Sequence, residues 1–255
     1  MTSEAPACDL LVVSPHTDDA EIGLGGTLAL LAGRGRRVWV ADLTRGELGS
    51  NATVDERWAE AAAASAVLGL AGRVQLELPD GFLDPHDRQQ TAAVAALLRS
   101  LRPRWLVTAP DPVRHPDHVA APVLVARAAF LAGLVAWPTP LPDHRAWAEG
   151  APLPAPADAW RPEAVFGVCP DGGQPALLVD VGAVWERKAA ALACFASQFD
   201  RTAGRRPTAI NDASFLARIE QRARVWGRRA GVELAEALCG EAVPVLTDLP
   251  TERWR

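Results

Sequence analysis

The sequence predicts an α/β fold: a Rossmann-like single domain with a mainly parallel sheet flanked by helices. Four short aliphatic, β-branched runs are each followed by a helix-like segment, at about 30-residue spacing, which is the pattern of right-handed βαβ units. The chain has 255 residues, 49% hydrophobic and 22% charged. That is enough for one sizeable core in an ordinary globular protein. No internal repeat interrupts it, so residues 1–255 read as one domain.

Leu10–Val13 is the first strand, and Glu21–Leu31 the first helix, stopped by Gly33–Gly35. Val38–Leu43 is strand-like. Asp55–Leu68 is rich in alanine and leucine with apolar spacing near 3.6 and ends at Gly69. Val74–Leu78 alternates as a strand, Arg88–Leu101 reads as helix, and Pro103 closes that unit. Trp105–Ala109 is strand-like and Asp117–Leu131 helix-like, with Gly133 as its stop. Trp137–Pro162 differs: seven prolines and little periodicity suggest a surface excursion or lid. Beyond it, Ala164–Val168 and Ala176–Val181 resemble strands, Trp185–Phe195 and Asp212–Arg229 helices, and Val243–Leu246 a last strand.

Composition excludes several classes of function. A net charge of -5 provides no global basic field for nucleic acid or an anionic membrane. The N-terminal run carries Glu4 and Asp9 and no basic cluster, unlike a secretory signal. No apolar stretch reaches the roughly 18 residues needed to span a bilayer. Cys8, Cys169, Cys194 and Cys239 lie far apart without a C-x-x-C pair, as expected of reduced thiols in a cytoplasmic protein.

An open parallel sheet binds ligands beyond the carboxyl ends of its strands, so the informative loops start near residues 14, 44, 79 and 110. Ser14-Pro15-His16-Thr17-Asp18-Asp19-Ala20-Glu21 follows the first strand, and Arg114-His115-Pro116-Asp117-His118 the fourth. Three of the five histidines fall in these two segments. Catalytic zinc takes three nitrogen or oxygen ligands plus a position for water. His16 and Asp19, spaced i,i+3 at a strand–helix junction, can meet at one point, with His118 supplying a third ligand from the other loop. Asp18 lies beside the metal pair and suits a general base for the water that zinc acidifies. The same donors also accept iron or cobalt. Seen alone, Asp18 or Asp19 could equally be a helix N-cap; the two segments together favour the metal.

The sequence S-P-H-T-D-D-A-E-I-G-L-G-G-T, then D-L-T-R-G-E-L-G-S, then R-H-P-D-H, resembles the LmbE-like (PIG-L) N-acetylglucosaminyl deacetylase family. Arg57-Trp58-Ala59-Glu60-Ala61, Leu68-Gly69, Leu78-Pro79-Asp80 and Ser197-Gln198-Phe199 extend the resemblance. It is close over about residues 8–135, and most similar to the deacetylases of bacillithiol synthesis, with the mycothiol-pathway enzymes near. The resemblance implies that His16, Asp19 and His118 bind zinc (Zn2+) and that Asp18 is the base. It also implies that His115 stabilises the oxyanion as a cation, oriented by Asp117. Arg57 and Arg114 become candidates for gripping a malate carboxylate, and Glu47 for accepting from sugar hydroxyls. The implied partner is a small N-acetylated amino sugar, and a homo-oligomer is expected. Two positions depart from the family. Thr17 stands where proline is usual, and Ala164–Val168 replaces a tyrosine-rich strand in a chain with no tyrosine.

Other readings keep parts of this frame. The same zinc site would serve another N-acetyl sugar, such as diacetylchitobiose, a mycothiol-type conjugate or an antibiotic precursor. Gly23-Leu24-Gly25-Gly26 suggests a non-hydrolytic nucleotide-binding module, but Asp18 and Asp19 would repel a pyrophosphate at that helix entrance. Close helix–sheet packing is the expected role of these glycines.

Overall fold

The computed structural model describes residues 7–108, 115–138, 140, 142–147, 155–156, 158–200, 205–212 and 214–240. Its first half alternates strictly: β1 (Cys8–Ser14), α1 (Asp19–Gly33), β2 (Val38–Thr44), α2 (Val54–Leu68), β3 (Gly72–Leu78), α3 (Arg88–Leu101), β4 (Pro103–Thr108) and α4 (Pro116–Ala132). Then come β5 (His144–Trp147), β6 (Ala164–Val168), β7 (Leu177–Asp180), α5 (Trp185–Ala193), α6 (Ala196–Phe199), α7 (Phe215–Ala230) and β8 (Ala235–Cys239). The expected strand at Val243–Leu246, and much of the proline-rich excursion, lie outside the described residues.

One eight-stranded sheet results, in the order β5-β3-β2-β1-β4-β6-β8-β7. Pairings from β3 through β6 are parallel, as expected, whereas β5, and β8 with its neighbours, pair antiparallel. The chain moves outward from β1 to β3 and then crosses back to β4 on the other side of β1. This reversal opens a crevice at the carboxyl ends of β1 and β4. Val13 pairs with Thr108, so the loops after these two strands start side by side.

Side chains alternate across the strands. Leu11 and Val13 face a core built with α3 and α4, whereas Leu10 and Val12 face one built with α1, α2 and α5. Local signals fix the helix ends. Thr53 and Glu56 form a reciprocal capping box at the start of α2, and Gly69 ends it in the left-handed region at φ 74°. No helix of the described residues is long and apolar enough to cross a membrane.

Two strands differ from the sequence expectation. β5 forms inside the proline-rich excursion because Arg145 anchors it: its Nε donates to Gln75 Oε1 at 2.6 Å and its Nη1 to Asp55 Oδ1 at 3.0 Å. Its guanidinium also stacks over Trp58. β8 is composed of good helix formers, yet β6 and β7 hold it from both sides. Tertiary pairing overrides propensity there.

Arg73, in β3, is fully buried. Its guanidinium grips Asp42 of β2 with two hydrogen bonds, at 2.7 and 2.8 Å, and Glu21 of α1 with a third at 2.6 Å. The same group donates to the backbone carbonyl of Thr17. Burial pushes the Glu21 carboxyl up to about 7, against the attraction of Arg73. Removing one partner from a buried charge cluster leaves the others uncompensated. Arg73→Met is therefore expected to lower the unfolding free energy by about 3–5 kcal/mol, measured by urea denaturation; a loss below about 1 kcal/mol would show that the cluster is not a structural anchor.

Candidate metal centre

The loop after β1 is pinned on both sides of His16. The Pro15 carbonyl accepts from Thr44 N and Oγ1, each at 3.0 Å, and the Thr17 carbonyl accepts from Arg73. Thr17 itself is fully buried, and its hydroxyl has no hydrogen-bond partner among the described residues. Backbone anchoring thus fixes a segment that has no proline at this position to restrict it.

Three donor atoms converge at the mouth of the crevice. His16 Nδ1 lies 3.2 Å from Asp19 Oδ2, His118 Nε2 lies 3.3 Å from His16 Nδ1, and His118 Nε2 lies 3.3 Å from Asp19 Oδ2. A tetrahedral ion at about 2.0–2.1 Å from each ligand requires donors about 3.3 Å apart. His16, Asp19 and His118 therefore fit a single divalent cation. Burial opposes ionisation of Asp19, but the His118 and His16 imidazoles hold its carboxyl well below the usual range.

The far side of His16 is occupied by carboxylates. Its Nε2 lies 3.2 Å from Asp80 Oδ1 and 3.5 Å from Asp117 Oδ2. Such a carboxylate–imidazole contact places the proton on Nε2 and leaves Nδ1 free to ligate. Both acids are themselves held by backbone amides. Asp117 accepts from Gly81 N at 2.8 Å and Leu83 N at 3.1 Å; Asp80 accepts from Leu48 N at 3.0 Å. His16, Asp80, His115 and Asp117 make a second convergent group through the same imidazole. With Asp117 holding two amides and Asp80 a third, that group reads as support for His16.

His115 caps α4, its Nδ1 accepting from Asp117 N at 3.3 Å. The Asp117 carboxylate is 3.9 Å from that nitrogen, and it also contacts His16 and the β3 loop. Burial and the nearby His16 push the His115 imidazole down, towards the neutral form. A ring accepting at Nδ1 carries its proton on Nε2, which leaves that nitrogen as a donor.

Asp18 is buried against the same crevice, and its Oδ2 has no hydrogen-bond partner among the described residues. Burial raises its pKa, with Asp19 adding to the shift and Arg57 opposing it. Arg57 is also buried. Its Nη1 donates to the Gly46 carbonyl at 3.3 Å, and its Nη2 lies 3.8 Å from Asp18 Oδ1. Glu47 is exposed, and its Oε1 accepts from Asp80 N at 2.9 Å. Arg114 lies outside the described residues. A cavity of about 250 Å³ joins His16, Asp18, Asp19, Arg57, His115 and His118, with Gln198 and Ile210 on its far wall.

All four loops at the carboxyl edge contribute, rather than the two richest in histidine. Asp80 stands in the family pattern, yet the sequence alone assigned it no role in the site. Its signal was its place directly after β3, where the same rule predicts a ligand-facing loop.

The glycine segment of α1 accommodates the chain's own carboxylate. Gly26 N and Thr27 N donate to Glu236 Oε1 and Oε2 at 2.9 and 2.7 Å, just beyond the Leu24 kink. A Cβ on Gly26 would stand 2.7 Å from Val181 Cβ, and one on Gly25 2.9 Å from Lys188 Cγ. The glycines serve packing, and an internal anion holds the amides that a phosphate would need.

The chain belongs to the PIG-L family, whose model, described as GlcNAc-PI de-N-acetylase, matches residues 11–129. Among curated relatives, 1D-myo-inositol 2-acetamido-2-deoxy-alpha-D-glucopyranoside deacetylase of Rhodococcus jostii is 29% identical, over 51% of this chain and 56% of its own length. The chain thus spans about half the length of the curated relatives it matches. A conserved protein of Thermus thermophilus is 36% identical, with a TM-score of 0.78 over 96% of this chain and 99% of that one. At 23% identity the fold alone is shared with two further structures. N,N'-diacetylchitobiose deacetylase from Pyrococcus horikoshii has a TM-score of 0.70 over 91% of this chain and 82% of that one. The 4-carboxy-2-hydroxymuconate hydratase of Pseudomonas putida has 0.68 over 95% and 100%.

His118→Ala is expected to abolish stoichiometric metal binding, read by elemental analysis of the purified protein. Asp80→Asn should retain a metal site but weaken it about 10- to 100-fold, read by chelator competition. Unchanged affinity would show that Asp80 does not support His16.

Proposed function

We propose that this protein is a zinc-dependent hydrolase that removes the N-acetyl group from a GlcNAc-containing small molecule. One observation carries the reading: three donor atoms 3.2–3.3 Å apart face the same cavity as a buried Asp18 oxygen that has no hydrogen-bond partner among the described residues. The family match supports the reaction, and the curated relatives, named for a GlcNAc–inositol conjugate, support an amino-sugar substrate.

His16, Asp19 and His118 would hold the ion. Zinc at such a site lowers the pKa of water to about 7 and polarises a carbonyl. Asp18 takes the proton from the water that attacks the acetamide carbon. His115 donates from Nε2 to the carbonyl oxygen as charge develops there. Asp18 then returns the proton to the sugar nitrogen as the C–N bond breaks, giving acetate and the free amine. Arg57 sits beside Asp18, where its charge favours the carboxylate between proton transfers. Glu47 is exposed at the rim, in a position to meet sugar hydroxyls.

The finer reading is N-acetylglucosaminyl malate, as in bacillithiol synthesis; inositol and chitobiose conjugates are the competing substrates. Four free cysteines, two of them buried, accord with a reducing, cytoplasmic setting. Acetate release from these three compounds tests the assignment, and preference for the uncharged disaccharide would defeat the malate reading. Asp18→Asn should keep stoichiometric zinc and lose at least about a hundredfold in kcat; full activity in that variant would remove Asp18 as the base.

A further inference from the structure

A second cavity, of about 430 Å³, adjoins the metal-centre cavity and shares Ile22 and Ala209 with it. Its remaining walls come mainly from α7: Phe215, Arg218, Ile219 and Arg222, with Asp171 on the rim. Arg218 and Arg222 are spaced i,i+4 and so share one face of the helix. The pair was visible in the sequence only as part of a basic helix.

The two arginines are balanced differently. Arg218 lies 3.6 Å from Asp212 and against the Phe215 ring. Arg222 donates through Nη2 to the Ile22 carbonyl at 3.2 Å and has no carboxylate partner among the described residues. The neighbouring cation, Lys188, is neutralised by Glu236 at 2.6 Å. Among the described residues, half-buried Arg222 therefore keeps an unmatched charge beside a cavity that shares Ile22 and Ala209 with the metal-centre cavity. Arg57, the cation expected to grip a carboxylate, lines the metal-centre cavity and contacts Asp18 and Gly46.

We infer that this second cavity is the subsite for the group attached to the sugar, and that Arg222, assisted by Arg218, binds an anion carried by that group. The inference rests on the de-N-acetylase reading, because it places the acetamide at His16, Asp19 and His118 and directs the rest of the substrate past Ile22. A guanidinium fork suits a carboxylate or a phosphate. Asp171 stands ready to accept from a hydroxyl of the same group.

The test uses the zinc-loaded enzyme and three N-acetylglucosaminides with methyl, carboxymethyl or phosphoethyl aglycones. The wild type should favour at least one anionic compound through KM, and the lower KM identifies carboxylate or phosphate. Arg222→Gln should cut the anionic-to-neutral ratio of kcat/KM about tenfold, as loss of a charge-assisted hydrogen bond does, and Arg222→Lys should restore part of it. Arg218→Gln should lower the ratio less; it carries the test if Arg222→Gln does not fold. Absence of anionic preference in the wild type, or a ratio unmoved by both Gln variants, overturns the subsite. Calorimetric binding of the corresponding deacetylated glucosaminides separates the two claims. Arg222-dependent binding of the anionic compound without hydrolysis of any acetamide would retain the subsite and defeat the de-N-acetylase reading. Neither binding difference nor hydrolysis would defeat both.

Discussion

The guanidinium of Arg73 is the constraint on which the rest of the site depends. It reaches from β3 through β2 to the start of α1, and it ends on the carbonyl of Thr17, between the residues proposed as ligand and base. A buried guanidinium is costly unless every donor is used and its charge is matched. Here two carboxylates and a carbonyl meet that demand, and the result is a rigid link between the sheet and a loop that would otherwise be free to move. The loop's geometry is thus held from beneath by a strand two places away, rather than by local backbone restriction.

A similar exchange operates further along α1. The helix kinks at Leu24, and the Gly26 and Thr27 amides beyond it donate to Glu236 of β8, while Lys188 of α5 bonds both Glu236 and the Ile22 carbonyl. The C-terminal elements thereby bond backbone groups of α1 on both sides of the kink. Ile22, whose carbonyl they hold, is also the wall between the two cavities. The antiparallel end of the sheet therefore shapes the site from a distance as well as closing the fold.

Much of this was legible in the residues. The alternation of strands and helices through α4 follows from periodicity and from glycine and proline stops, and α3 begins and ends where the pattern placed it. The convergence of His16, Asp19 and His118 follows from the rule about strand carboxyl ends. What the sequence concealed depends on partners remote in the chain. β8 has the composition of a helix and becomes a strand only because two neighbours offer it hydrogen bonds. Arg73 marked the edge of an apolar run, and nothing local reveals that Asp42 and Glu21 will neutralise it. Adjacency in sequence suggested His115 as the neighbour of Asp117, but could not show that the same carboxylate also reaches His16 from the helix start.

The parallel pairing of β1 with β4 has a consequence for the order of assembly. His16 and His118 are 102 positions apart, and every element from α1 to β4 lies between them. A nascent chain exposes the first two donors early, but it cannot hold an ion tightly until the crossover back to β4 is complete. Any metal that binds there rewards the closed topology over its partly wound precursors by mass action. Acquisition of the ion and closure of the crossover are then one thermodynamic event.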